Sequence, residues 1–194
     1  MKKILFTLIA AVAAPAFAQT TGAPAFQQRD INQQERIEQG LQSGQLNTRE
    51  AAKLEHEEGQ INQMESRALR DGKVTTAERA RINAAQDKVS RDIAREKHDA
   101  QTGSPGSASS QRMQADVQRN INQDRRIQQG MASGQLTNHE ASHLEAGQAH
   151  VDRLEARAGR DGQVGSTEQK HIQHSENVQS RRIYKQKHDA QAKN

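Results

Sequence analysis

Residues 29–40 read RDINQQERIEQG, and residues 119–130 read RNINQDRRIQQG, an offset of 90. The match runs on without a gap to Lys97-His98-Asp99-Ala100-Gln101, which returns as Lys187-His188-Asp189-Ala190-Gln191. Nearly half of the aligned positions are identical. Gapless identity over such a length marks duplication of one unit. Between the copies lies TGSPGSASS, residues 102–110, whose Gly/Ser/Pro content reads as a flexible linker. The chain thus divides into residues 1–18, a first repeat unit at 19–101, the linker at 102–110 and a second unit at 111–194.

A shorter echo sits inside each copy. Ser43-Gly44-Gln45-Leu46-Asn47-Thr48-Arg49-Glu50 resembles Asp71-Gly72-Lys73-Val74-Thr75-Thr76-Ala77-Glu78, and both recur at Ser133–Glu140 and Asp161–Glu168. Gly44 and Gly72 suit the left-handed conformation that ends a helix. Asn47 with Glu50, Thr75 with Glu78, and Thr137 with Glu140 have capping-box spacing, and Gly165 with Glu168 is the weaker version. The flanking segments contain no proline, and their apolar residues have helical spacing. Leu54, Ile61, Met64 and Ala68 share one face, as do Ile82, Val89 and Ile93. Copy two offers Leu144, Val151, Leu154 and Ala158, then Ile172 and Ile183, with Gln179 at the Val89 position. The fold class expected is all-α: two tandem three-helix units built from helical hairpins. Helices fall near 26–42, 48–69 and 76–98, and near 112–132, 138–159 and 166–189.

The first residues have the form of a secretory signal peptide. Lys2 and Lys3 precede an apolar run from Ile4 to Ala14, and Ala16-Phe17-Ala18 is a small-x-small cleavage site. The run is shorter than the span of about 20 residues that crosses a membrane. No cysteine follows it to carry a lipid. The expectation is a periplasmic or secreted protein, cut near Ala18, with no stable membrane anchor.

Composition narrows the function. The chain carries 28 Lys+Arg and 24 Asp+Glu, net +4; losing Lys2 and Lys3 leaves +2. The signs are interleaved, as on solvated helix faces. So small a net charge is a weak footprint for nucleic acid or anionic lipid, and no nucleic-acid partner is expected. Hydrophobic residues make up 32% of the chain and aromatic ones 2%. A globular domain averages about 45–50% apolar, so narrow apolar stripes must complete their burial against each other, a protein partner or a second copy. With no cysteine there are no disulfides or thiolate sites.

No catalytic fingerprint is present: no nucleophile elbow, HExxH, Walker loop or dinucleotide glycine motif. Carboxylate pairs such as Glu57-Glu58 read as solvated on a polar helix. The expectation is a non-enzymatic interaction or stress-related protein. The alternative is a metal-binding protein using the histidines of copy two. His139 and His143 are four apart, His150 lies seven further on, and His171 and His174 are three apart on the next helix. Imidazoles at such spacing can hold Zn²⁺, Cu²⁺ or Ni²⁺. Their copy-one counterparts, Arg49, Lys53, Gln60, Arg81 and Ala84, look like solvent-facing positions.

Two resemblances follow from these residues. The RINQQ…RI…QG…SGQL…EA…LE wording resembles exported proteobacterial helical-repeat proteins of unknown function, which implies a helical, periplasmic protein and no catalytic residues. The octets resemble the second half of an EF-hand calcium loop, with Asp71-Gly72 at loop positions five and six and Glu78 at twelve. The first half departs from the pattern: Arg67 and Leu69, or Arg157 and Gly159, stand where oxygen donors belong. Tight calcium binding is therefore not expected.

Overall fold

The computed structural model describes residues 23–189. The signal-peptide expectation falls on residues 1–18 and lies outside them. The described residues form six α-helices and no strand: α1 Ala23–Ser43, α2 Thr48–Leu69, α3 Thr76–Glu96, α4 Ala108–Ser133, α5 Asn138–Ala158 and α6 Ser166–Lys187. A single 3₁₀ turn, Gly159–Asp161, follows α5. The starts of α2 and α3 recur in α5 and α6 at the sequence offset of 90, as does the end of α1 in α4.

Local chemistry fixes these boundaries. Asn47 Oδ1 accepts the Glu50 amide at 3.0 Å, and Glu50 Oε2 accepts the Asn47 amide at 2.9 Å. Thr75 with Glu78 and Thr137 with Glu140 do the same. Such caps satisfy amide groups that a helix start leaves without partners. At the other end Gly44 and Gly134 take φ of +75° and +72°, a conformation costly for other residues. The chain then doubles back so that the Leu46 amide donates to Gly40 O and the Leu136 amide to Gly130 O, both at 2.9 Å. This seats Leu46 and Leu136 on the helices they have just left, and both are buried.

The two halves pack chiefly on each other. α2 lies along α5 and α1 along α4, while α3 rests on α1 and α2, and α6 on α4 and α5. The α2–α5 pair is antiparallel. Arg49 donates to Asp161 O, Asn62 to Asp152, Ser142 to Ser66 O and Asn138 to Gly72 O. Asn62 and Asp152 are equivalent positions of the two copies, as are Glu35 and Arg125, which form an ion pair. Each of these two contacts joins a residue to the one 90 positions further along the chain. The main apolar core draws on both halves, joining Ile31, Leu54, Ile61 and Ile93 with Met113, Val117, Ile121 and Ile172. The segment at 102–110 is hydrogen-bonded along its course. The Gly103 amide donates to Gly44 O at 2.8 Å, Ser107 caps α4, and α4 begins at Ala108.

One swap between the copies shows how tightly the helices approach. Copy one has Glu57 and Val89 where copy two has Gly147 and Gln179. Gln179 is buried and donates to Leu144 O at 2.8 Å, with its amide lying directly over Gly147. A Cβ on Gly147 would collide with Gln179 Oε1. The larger side chain on α6 is accommodated by the missing one on α5.

A buried carboxyl and amide interior

α2 and α5 each present two faces of opposite character. The inward stripe of α2 carries Glu55, Glu58, Asn62 and Glu65, and that of α5 carries Glu145, Gln148, Asp152 and Glu155; all eight are buried. Asp30 on α1, Asp116 and Asp124 on α4, and Glu176 on α6 are buried as well. Glu58 is only 1% exposed. This corrects the reading of Glu57-Glu58 as solvated. The pair sits on a helix that is polar on both sides, and packing of α5 and α1 turns one polar side into interior.

Ten buried carboxyls make up this interior: Asp30, Glu55, Glu58, Glu65, Asp116, Asp124, Glu145, Asp152, Glu155 and Glu176; Glu50, Asp92, Glu96 and Glu140 are buried too, but as helix caps or in ion pairs. Amides, not cations, are the partners of eight of them. Gln34 donates to Glu55 at 2.9 Å, Asn120 to Glu155 at 2.8 Å, Asn62 to Asp152 at 2.8 Å and Gln169 to Asp116 at 2.6 Å. Gln27 serves Glu145, Gln148 serves Asp124, and Gln86 reaches both Asp30 and Glu65. Among the described residues, only Glu176 of the ten is in an ion pair, with Arg119 at 3.1 Å.

Burial without a counter-charge disfavours the ionised form. Desolvation pushes Asp30, Glu55 and Asp116 up to about 7, and Glu145 and Glu176 up to about 8. It raises Glu58, Glu65, Asp124, Asp152 and Glu155 well above the ordinary carboxyl range, with mutual repulsion adding to the effect. Asp92 and Glu96 provide the contrast. Burial works against their charge too, but Lys88 with Arg95, and Lys53 with Arg95, outweigh it and hold both below their usual values.

The hydrogen-bond ledger of this interior is one-sided. Every buried side-chain atom without a partner among the described residues is an oxygen. In four amide–carboxyl pairs an acceptor is orphaned on both members: Gln34 with Glu55, Asn120 with Glu155, Gln169 with Asp116 and Gln86 with Glu65. Glu58 has neither oxygen partnered. An orphaned buried acceptor costs about 1–3 kcal/mol. The interior is short of donors, and either protons on the carboxyls or a bound cation would supply the deficit.

Oxygen atoms of Glu55, Asp152 and Glu155 come within 4.8 Å of one another, close enough to share one ion. Glu50, Glu96 and Asp99 make a second such group near the start of α2, but Glu50 serves as a cap and Glu96 pairs with Lys53.

The histidines singled out from the sequence lie elsewhere, and all five are exposed. His139 and His143 bring their rings to 4.7 Å, edge to face. His150 is partly desolvated and has Arg153, Arg182 and Arg157 around it, which together lower its pKa. His171 lines a small hollow with Leu154, Arg157 and Glu168, and His174 is a turn further along α6. The EF-hand-like carboxylates are engaged in the chain's own turns. Asp71 accepts the Lys73 amide, Asp161 the Gln163 amide, Glu78 the Thr75 amide and Glu168 the Gly165 amide.

The sequence did carry a signal for the interior. Positions 55, 58, 62 and 65 follow a three-four-three rhythm, and positions 145, 148, 152 and 155 repeat it with polar residues throughout. That is the rhythm of a buried face, written in residues that ordinarily mark an exposed one. The fold and this interior define an all-α protein with a carboxyl-rich core. No family model, curated protein or solved structure matches the chain.

Proposed function

We propose that the chain is a non-enzymatic interaction or stress-related protein of the periplasm, built from two tandem units closed on each other, whose folded state is favoured by acid. The observation that supports this reading is the donor-poor interior: ten carboxyls are buried among amides, and every orphaned atom is an acceptor. A proton on each carboxyl neutralises it and provides the missing donor. The periplasm follows the external pH more closely than the cytoplasm does, so a protein that gains stability as protons arrive suits an acid-exposed compartment. Urea unfolding of the mature chain between pH 4 and pH 9, in the presence of a chelator, tests it. The midpoint should fall as pH rises. A midpoint that climbs towards pH 8 in metal-free buffer would overturn the reading.

The proximity of Glu55, Asp152 and Glu155 favours a second reading, in which a hard cation such as Ca²⁺ or Mn²⁺ fills the same deficit at neutral pH. Under that reading the cation, not acid, restores the midpoint at pH 8. The exposed His139–His143 pair is the transition-metal alternative, a two-nitrogen clamp on the surface. Calorimetry with Zn²⁺ and with Ca²⁺ separates the two, because only the carboxylate site should respond to Ca²⁺.

A further inference from the structure

The outward stripes of α2 and α5 carry the opposite charge from the inward ones. On α2 the exposed positions run Arg49, Lys53, His56, Gln60 and on to Arg67 at a three-four rhythm; on α5 they run His139, His143, His150 and then Arg153, Arg157. Arg160 in the following 3₁₀ turn continues the row. The antiparallel pairing brings the Arg153–Arg160 end of one helix beside the Arg49–His56 end of the other. Between them lies a groove of about 490 Å³, lined by four arginines, Lys53, His56 and two alanines. A second hollow of about 330 Å³ continues it towards Arg67, sharing His56 and Arg153. No carboxylate lines either one.

The charges in this row are largely uncommitted. Lys53 is held by Glu96, and Arg49 donates to the Asp161 carbonyl. Among the described residues, Arg67, Arg153, Arg157 and Arg160 form no ion pair. The reason lies on the far side of the same helices, where so many carboxyls have been taken inside that too few remain outside to balance the arginines. The small net charge of the chain conceals a basic exterior.

We propose that the α2–α5 face binds a linear polyanion bearing closely spaced phosphates, of the inorganic polyphosphate kind. Guanidinium groups pair with phosphate oxygens through two parallel hydrogen bonds. The row follows helices about 30 Å long, which suits an extended chain better than a single small anion. The lining argues against the other phosphate carriers. It has no Phe, Tyr or Trp on which a nucleic-acid base could stack, the exposed imidazole of His56 being its one ring. It has no large apolar side chain beyond Met64 to enter a bilayer, and the one exposed large hydrophobic residue among those described, Tyr184, is on α6. The inference goes beyond the acid response and does not depend on it.

The test is titration of the full mature chain with inorganic polyphosphate at several salt concentrations. Orthophosphate, phosphatidylglycerol vesicles and single-stranded DNA serve as comparisons. Polyphosphate should bind with an affinity that falls steeply with salt. The triple variant Arg153→Ala/Arg157→Ala/Arg160→Ala should weaken binding at least about tenfold and flatten the salt slope by about one for each phosphate it no longer neutralises. The pair Lys170→Ala/Arg181→Ala, exposed positions on α6, should leave both unchanged. Circular dichroism checks that each variant keeps its helix content. Absent polyphosphate binding, equal losses in the two variant sets, or tighter binding of vesicles or DNA would each overturn the proposal.

Discussion

Glu58 concentrates the problem that this chain solves. It is buried, both of its oxygens lack partners, and Asp30, Glu55, Asp152 and Asp124 all raise its pKa after burial has done so. The equivalent position of copy two is Gln148, which donates to Asp124. Glu58→Gln therefore installs a residue the duplicated unit already accepts. The variant should be more stable than the parent at pH 8 by about 1 kcal/mol or more, since each unit of pKa displacement corresponds to about 1.4 kcal/mol. At pH 4.5 the two should unfold at nearly the same urea concentration. Equal midpoints at pH 8 would show that Glu58 keeps its charge in the folded chain at no cost. The same scale holds a steric prediction. Gly147→Ala drives a methyl into Gln179 and should lower the melting temperature, and shortening Gln179 to Ala in the same chain should recover part of the loss.

At the scale of elements, the helices depend on their caps as much as on their apolar stripes, because few large side chains are available. α2, α3 and α5 begin with a reciprocal side-chain cap, whereas α6 is preceded by Gly165, which has no side chain to accept the Glu168 amide. Thr137→Ala should cost about 1 kcal/mol. Gly165→Ser should stabilise by a few tenths, because Gly165 already has the extended backbone of a cap (φ −74°, ψ 163°). Chemical unfolding of the two single variants checks both signs. A silent Thr137→Ala would mean that α5 is held by its packing on α2 alone.

At the scale of the whole molecule, the buried carboxyls set the pH response. A carboxyl whose folded pKa stands near 7 or 8 keeps a proton that the unfolded chain has given up above about pH 4. Its stabilising contribution is complete below the unfolded pKa and is lost as pH rises through the folded value. Stability should therefore decline steadily from about pH 4 to pH 8, the reverse of the trend for salt-bridged carboxylates. Proton uptake on folding, measured by calorimetry at pH 6 in buffers of different ionisation enthalpy, reports it directly. The packing of α1 on α4 and α2 on α5 has its own consequence. Residues 19–101 expressed alone lose the partners of Leu54 and Ile61 and should associate as a dimer in which a second copy replaces the other half. Size-exclusion chromatography with light scattering reads this, and a monomer with full helix content would show that each unit folds by itself.

The sequence by itself determined the helices. The period of the apolar positions, the capping boxes and the left-handed glycines act over three to seven residues, and they placed the four Gly-containing connectors; the connector between α3 and α4 was read from its Gly/Ser/Pro content, and α4 begins within the expected linker, at Ala108. The gapless repeat also determined that both halves share one plan. What lay inside was decided only by tertiary structure. Glu55, Glu58 and Glu65 carry the same local signature as a solvated face, and nothing within their own helix distinguishes burial from exposure. That distinction arises when α5 and α1 close over them, between residues 90 positions apart in the chain. The same event sends the carboxylates inward and leaves Arg153, Arg157 and Arg160 outside with no ion pair among the described residues. A net charge is a sum over residues, whereas a surface charge depends on which of them the fold has hidden.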